Sequence, residues 1–256
     1  MEKLYNPFSL ESKTILITGA SSGIGRQCAI DCSRMGAKVA LIGRSKERLE
    51  ETIELMEGKD HLAISYDLTD LNHQNELVRE IVARMGVIDG LVNCAGISTV
   101  LPLKLMKPEK VDELFKTNVY ATIELTRQVL GVKNVNTEGA SVIFFSSIMG
   151  CVGEVAKSLY SFTKGALISG CRSLAVEYAP KKIRVNVVSP GLIETPINKK
   201  QPYLADPEKR KVTESHYPLG LGKTTDASLA CVFLLSDASR WITGQNIIVD
   251  GGFTMQ

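Results

Sequence analysis

Aromatic residues are scarce in this 256-residue chain, at 6% with a single tryptophan, and give no sign of a dedicated platform for a steroid-sized substrate. No apolar run is long enough to cross a bilayer. Charge of one sign is also missing: 30 Lys and Arg stand against 28 Asp and Glu, mixed along the chain, for a net +2. That balance gives no bulk field for nucleic acid, so neither a nucleic-acid nor a membrane partner is expected. The six cysteines (28, 32, 94, 151, 171 and 231) contain no Cys-x-x-Cys pair, which argues against zinc and against a disulfide framework. Cys28 and Cys32 share a helix face and read as small buried hydrophobes, while Cys151 follows Ser147 closely enough to line a pocket. His61, His73 and His216 lack metal-ligand spacing and are expected at the surface, so no metal site is expected. Met1 to Leu10 has no charged-then-apolar signal pattern, and the expected location is the cytoplasm. With no linker, repeat or low-complexity tract, residues 1–256 read as one domain.

Seven short apolar runs are present: Thr14–Thr18, Lys38–Ile42, Leu62–Ser65, Gly90–Asn93, Ser141–Phe145, Ile183–Val188 and Asn246–Val249. Strands that are apolar throughout are buried on both faces, as in a parallel sheet. Amphipathic segments alternate with them: Gly25–Met35, Lys46–Met56, Asn72–Met85, Pro108–Leu130, Tyr160–Tyr178 and Asp226–Leu235. The rhythm predicts an α/β fold, one doubly wound parallel sheet of about seven strands with helices on both faces. Glu194–Gly222 is the least regular stretch and reads as a substrate loop or lid.

The first strand runs into Thr18-Gly19-Ala20-Ser21-Ser22-Gly23-Ile24-Gly25 and then a helix. Glycines at 19, 23 and 25 let backbone approach a pyrophosphate, and the helix start offers free N–H groups and a positive dipole end. Gly19, Ser21, Ser22, Gly23, Ile24 and Gly25 are therefore candidate dinucleotide contacts. About 20 residues on, an NAD site would carry an acid for the ribose 2′-hydroxyl. The chain has Arg44 and Ser45 instead, which suit a 2′-phosphate, so NADP(H) is favoured over NAD(H). Asp67 and Leu68, after the third strand, are placed to meet adenine, or Asp67 is the N-cap of the next helix.

Tyr160 and Lys164 stand one helical turn apart and share a face. A phenol has a pKa of about 10, and a neighbouring ammonium favours the phenolate. Such a pair can exchange a proton near neutral pH. Ser147 lies thirteen residues upstream of Tyr160.

In these motifs the chain resembles the short-chain dehydrogenase/reductases along nearly its whole length, which implies the Rossmann form of the doubly wound sheet. Thr18–Gly25 resembles the family's Thr-Gly-x-x-x-Gly-x-Gly, and Asn93-Cys94-Ala95-Gly96 resembles its Asn-Asn-Ala-Gly with Cys second. Asn118, Ser147, Tyr160 and Lys164 fall where the family has its Asn-Ser-Tyr-Lys tetrad. The resemblance implies that Tyr160 donates or accepts the proton, Lys164 lowers its pKa and holds the nicotinamide ribose, Ser147 positions the substrate oxygen, and Asn118 holds a relay water. Ser146 is a rival to Ser147, but adjacent strand side chains face opposite ways and the spacing favours Ser147. Asn93, Ala95 and Gly96 would line the adenosine side. Pro190, Gly191, Ile193 and Thr195 would hold the nicotinamide end. The family also implies a homotetramer paired through Asn118–Leu130 and Tyr160–Tyr178.

Ile242–Gly252 and Arg184–Gly191 resemble segments of 3-oxoacyl-acyl-carrier-protein reductases, which makes an acyl-thioester the leading single substrate. Lys181 and Lys182 could dock an acidic carrier. Gly150–Leu159 lacks that subfamily's Gly-Asn-x-Gly-Gln pattern, and Glu154 and Lys157 there are either pocket groups for a polyol, sugar or hydroxy acid, or surface charge. A non-catalytic NAD(P)-binding regulator is the reading from another class, and the intact tetrad weighs against it.

Overall fold

The computed structural model describes residues 5–195, 198 and 202–255. Seven strands form one parallel sheet: β1 (Thr14–Thr18), β2 (Lys38–Gly43), β3 (Leu62–Ser65), β4 (Gly90–Asn93), β5 (Ala140–Phe145), β6 (Ile183–Pro190) and β7 (Asn246–Val249). Their spatial order is β3-β2-β1-β4-β5-β6-β7. The order reverses between β1 and β4, and the crevice beyond the carboxyl ends of those two strands is where such sheets bind ligands.

The continuous apolar strands divide their side chains between two cores. Leu16, Ala40, Ile42, Leu91, Val142, Phe144 and Val185 face one way, against Leu77, Val78 and Ile81 of α3 (Gln74–Met85), Leu125 and Val129 of α5 (Ala121–Val129), and Leu167 and Cys171 of α6 (Ser158–Tyr178). Ile15, Ile17, Val39, Leu41, Val92 and Ile143 face the other way, against Cys28 and Cys32 of α1 (Gly23–Arg34), Leu49 of α2 (Lys46–Glu54), and Ala227 and Cys231 of the helix Thr224–Leu235. Each fully buried Leu or Ile contributes about 1.5–3 kcal/mol of transfer free energy. The alternation leaves little freedom of register, because a one-residue slip would exchange the two faces. Cys28 and Cys32 are buried as expected.

Two segments differ from expectation. Pro108–Leu130 is not one α-helix: α4 (Pro108–Phe115) passes through a wide π turn, Lys116–Tyr120, before α5. The turn carries Asn118, whose side chain is drawn sideways onto the backbone of Ile97. Such bulges often mark functional positions. Glu194–Gly222 contains helices at Pro202–Ala205 and Pro207–Ser215. Asp206 caps the second by accepting from the N–H groups of Glu208 (3.0 Å) and Lys209 (3.3 Å), with Pro207 in the first helical position. β6 also runs two residues further than the apolar run, which carries Pro190 to the crevice.

Candidate active site

A cleft of about 560 Å³ opens at the sheet's switch point. One end is the turn after β1. Gly19 has φ +68°, and a Cβ on Gly25 would stand 2.4 Å from the Gly19 carbonyl oxygen, so α1 closes on the turn only as glycine. Ser22, the N-cap of α1, makes no side-chain cap, and the helix's first turn has no acid, which leaves its N–H end open to an anion. Thr18 Oγ1 accepts from the N–H groups of Cys94 and Ala95, both at 3.0 Å, and fastens this turn to the loop after β4. Arg26 donates to the Ser21 carbonyl at 2.8 Å and pairs with Glu51 at 2.9 Å, bracing the turn from behind.

Arg44 stands exposed on the rim of this end. Ser45 does not line the cleft: its Oγ accepts from the Arg48 N–H at 3.4 Å and caps α2. Asp67 and Leu68 do line it. Asp67 is not the cap of the following helix, a position held by Asp70. Its carboxylate accepts from the Thr69 N–H and hydroxyl, both 2.9 Å. Those bonds, helped by the charges of Arg44 and Lys116, hold its pKa below the usual carboxylate value. Asn93 is a correction: its side chain is 3% exposed and donates to Thr126 Oγ1 at 3.2 Å, tying β4 to α5, while Cys94, Ala95 and Gly96 carry on into the cleft.

The other end gathers the tetrad. Ser147 follows β5 and accepts from the Met149 N–H at 3.2 Å, so its own hydrogen stays available to the cleft. Ser146 also lines the cleft, but its Oγ is buried and donates to the Lys164 carbonyl at 2.9 Å. Tyr160 and Lys164 lie on one face of α6, with Lys164 Nζ 5.6 Å from the Tyr160 ring centroid. Lys164 donates to the Phe145 carbonyl at 2.8 Å and is 5% exposed. Burial brings its pKa down to about 8. A Cβ on Gly96 would stand 3.2 Å from Asn118 Oδ1 and 3.4 Å from Lys164 Nζ, so this loop passes close to both side chains.

Asn118 accepts from the Ile97 N–H at 2.8 Å and donates to the Ile97 carbonyl at 2.9 Å and to Thr163 Oγ1 at 3.1 Å. Both amide N–H groups are thus taken. Its side chain positions the Ile97 loop against α6.

The far wall is the segment after β6, where Pro190, Gly191, Ile193 and Thr195 line the cleft. A Cβ on Gly23 would meet Thr195 Cγ2 at 3.5 Å, so the glycine turn and Thr195 face each other at close quarters. Ile193 bridges Gly222, which closes the base of the 194–222 segment.

Sequence reasoning missed Tyr66, Ile97, Ser98, Glu113, Thr117 and Asn198 as cleft residues. Glu113 and Thr117 are four residues apart on the helical segment that leads to Asn118, a spacing that puts them on one face. Cys151 lies outside the cleft, exposed, its sulfur accepting from Asn246 Nδ2 at 3.2 Å. Lys181 and Lys182 follow the far end of α6, about 27 Å along the helix from Tyr160, at the edge where β6 begins. A carrier docked there would stand on the opposite side of the sheet from the cleft. Among the described residues no cluster of His, Cys, Asp or Glu could hold a metal ion, and no helix is long and apolar enough to cross a membrane. An elongated slot with open backbone donors at one end and a buried ammonium at the other fits a dinucleotide.

Comparison with known proteins agrees with that fit. The family model described as Enoyl-(Acyl carrier protein) reductase matches residues 19–254. The chain is 35% identical to a 3-oxoacyl-[acyl-carrier-protein] reductase of Thermotoga maritima, covering 96% of this chain and 99% of that one. It is 37% identical to an L-rhamnose 1-dehydrogenase (NAD(P)(+)) of Azotobacter vinelandii, with coverages of 95% and 97%. A candidate NAD(P)-dependent gluconate 5-dehydrogenase from Beutenbergia cavernae, crystallised with NADP at low occupancy, superposes with a TM-score of 0.89 at 31% identity, over 98% of this chain and all of that one. The chain belongs to the short-chain dehydrogenase/reductase family, nicotinamide-dependent oxidoreductases of CH–OH and carbonyl groups.

Proposed function

We propose that the protein is an NADP(H)-dependent dehydrogenase/reductase of a small polar secondary alcohol or ketone. The observation that carries the reading is the buried Lys164 ammonium, bonded to the Phe145 carbonyl and set beside the Tyr160 ring where the cleft ends. Nicotinamide supplies or accepts the hydride. Ser147 donates to the substrate oxygen and fixes it beside Tyr160. In oxidation the carbinol O–H proton passes to Tyr160 while the C–H electron pair leaves as hydride, and a C=O bond forms. Reduction is the reverse, with Tyr160 as donor. Lys164 favours the phenolate through its charge. Asn118 holds the Ile97 wall, and Thr195 with Ile193 encloses the nicotinamide end.

NADP(H) is proposed over NAD(H) because Arg44 stands on the rim with no carboxylate in the corresponding place after β2. The NADP found in the Beutenbergia protein supports it. Neither Glu154 nor Lys157 lines the cleft and Glu154 is exposed, so the substrate reading rests on Lys157, whose Nζ lies at the cleft's border 5.8 Å from the Tyr160 ring centroid. A second reading, a 3-oxoacyl thioester, is favoured by the Thermotoga relative and by exposed Val100, Leu103, Leu105 and Val155 on the segments flanking the cleft. We further propose a cytoplasmic homotetramer. Its six cysteines are free, and exposed Ile123 on α5 with Phe162 and Val176 on α6 would be covered by a partner copy.

Kinetics with NADPH and NADH against ketoses, short ketones and acetoacetyl thioesters test the reading. NADPH should be preferred, and Arg44→Ala should raise the KM for NADPH roughly 10-fold while leaving NADH little changed, as expected for one lost charge-assisted phosphate contact. A clear NADH preference in the wild type contradicts the cofactor reading. Turnover of thioesters and no ketose contradicts the substrate reading.

A further inference from the structure

We infer that Lys157 recognises a negatively charged group of the substrate, so that the substrate class is a hydroxy acid and its keto acid, of the sugar-acid kind. The inference rests on the reading that the reacting carbon sits at Tyr160.

Lys157 is the residue before α6, three positions ahead of Tyr160. Its backbone is held from both sides. Ala156 sits in the left-handed region at φ +62°, a conformation that a non-glycine residue keeps only when its surroundings hold it there. The Ala156 carbonyl accepts from the Leu101 N–H at 2.7 Å, which joins this turn to the loop continuing from the Ile97 wall. The Lys157 N–H donates to the Glu154 carbonyl at 3.2 Å, and the Lys157 carbonyl accepts from Ser161 at 2.8 Å. From this fixed turn Nζ reaches to 5.8 Å from the Tyr160 ring centroid, nearly as close as Lys164.

The two ammoniums differ in what they are bonded to. Lys164 is buried and donates to Phe145. Lys157 is half-buried, and among the described residues no side chain accepts from its Nζ and no carboxylate forms an ion pair with it. Partial loss of water pulls its pKa below the ordinary lysine value, with Glu154 opposing. Two carboxylates of the surrounding walls are already paired, Glu113 with Lys110 at 2.6 Å and Glu194 with Arg210 at 2.8 Å, while Glu154, exposed in the same turn, favours the Lys157 charge from a distance without an ion pair. Its contact is the face of the Tyr160 ring, and a half-buried ammonium held by a ring face still lacks an acceptor for its N–H groups. A substrate carboxylate arriving beside Tyr160 would restore the missing interaction. Lysine is a point charge on a flexible stem, so the group need only lie within a few bonds of the reacting carbon. A neutral sugar or a thioester offers only uncharged acceptors there, which bind an ammonium more weakly than a carboxylate does.

Aldonates and their alditols, which differ only by carboxylate in place of CH2OH, give the test. Quenching of enzyme-bound NADPH fluorescence would be titrated with D-gluconate and D-glucitol, D-galactonate and D-galactitol, and D-arabinonate and D-arabinitol. At least one acid should bind roughly 10-fold or more tightly than its alditol, the scale of one charge-assisted bond. Lys157→Gln should bring that acid down to the alditol's affinity, and Lys157→Arg should restore it. No acid preferred in any pair, a preference that survives Lys157→Gln, or an equal loss for acid and alditol would each overturn the inference. NADP+ reduction, assayed separately with the same enzyme, acids and alditols, separates it from the proposed function. Acid-selective binding without turnover leaves the inference standing and sinks the function. Turnover abolished by Tyr160→Phe with no acid preference does the opposite.

Discussion

Lys164 donates to the Phe145 carbonyl at 2.8 Å with only 5% of its surface exposed, so its charge sits where water does little to stabilise it. Its folded-state pKa of about 8 lies below the value of about 10.4 for a free lysine. Below pH 8 both folded and unfolded chains carry the proton, and the folded state bears the whole desolvation cost. Between pH 8 and about 10.4 the unfolded chain binds more protons, so this residue's contribution to stability improves as pH rises. Lys164→Met should therefore unfold at higher temperature than the wild type at pH 7, by about 1–3 kcal/mol, with the gain shrinking toward pH 10. Thermal melts followed by circular dichroism across that range check it, and a gain independent of pH would show that packing and not charge is responsible. At this scale the sequence was most legible where spacing and type agree: Tyr160, Lys164 and Ser147 meet as the motif implied. It was least legible where a neighbour decides which way a side chain turns. Asn93 looks inward only because Thr126 on α5 offers it a hydroxyl. Ser45 caps α2 because the helix begins at the next residue.

The π turn at Lys116–Tyr120 is an element the helical period could not reveal, since Pro108–Leu130 keeps its apolar spacing throughout. What widens the helix is tertiary: three bonds from the Asn118 amide to Ile97 and Thr163. Asn118→Ala would leave the Ile97 N–H and carbonyl without that partner. A fully buried group left unsatisfied costs about 1–3 kcal/mol, and these two are part-buried, so a loss in the lower part of the range of about 2–6 kcal/mol is expected. Hydrogen exchange at the Ile97 amide should accelerate, and wild-type protection there would show that another group carries the loop. The helices inside 194–222 were within reach of sequence reasoning. Asp206-Pro207-Glu208 is a cap, a first-turn proline and a first-turn acid in succession.

At the scale of the whole molecule, the sheet was legible because each strand is apolar on both faces and the two cores take alternate residues. The position of the cleft followed, since the glycine turn after β1 and the Asn93–Gly96 loop after β4 flank the place where strand order reverses. Long-range placement did not follow: Lys181 and Lys182 read as a docking pair, yet α6 carries them to the opposite edge. Assembly is a prediction at this scale. Light scattering should give four times the 27.9 kDa chain mass, and Phe162→Glu on exposed α6 should lower it. A monomer in the wild type would contradict the tetramer. The central claim is that Tyr160 moves the proton while the rest of the cleft holds the cofactor. Its most direct measurement pairs NADPH-dependent ketone reduction with NADPH binding by fluorescence, in wild type and Tyr160→Phe. Turnover should fall by roughly 10²–10⁴ with cofactor affinity unchanged. Near-wild-type turnover in the variant, or cofactor binding lost along with turnover, would contradict it.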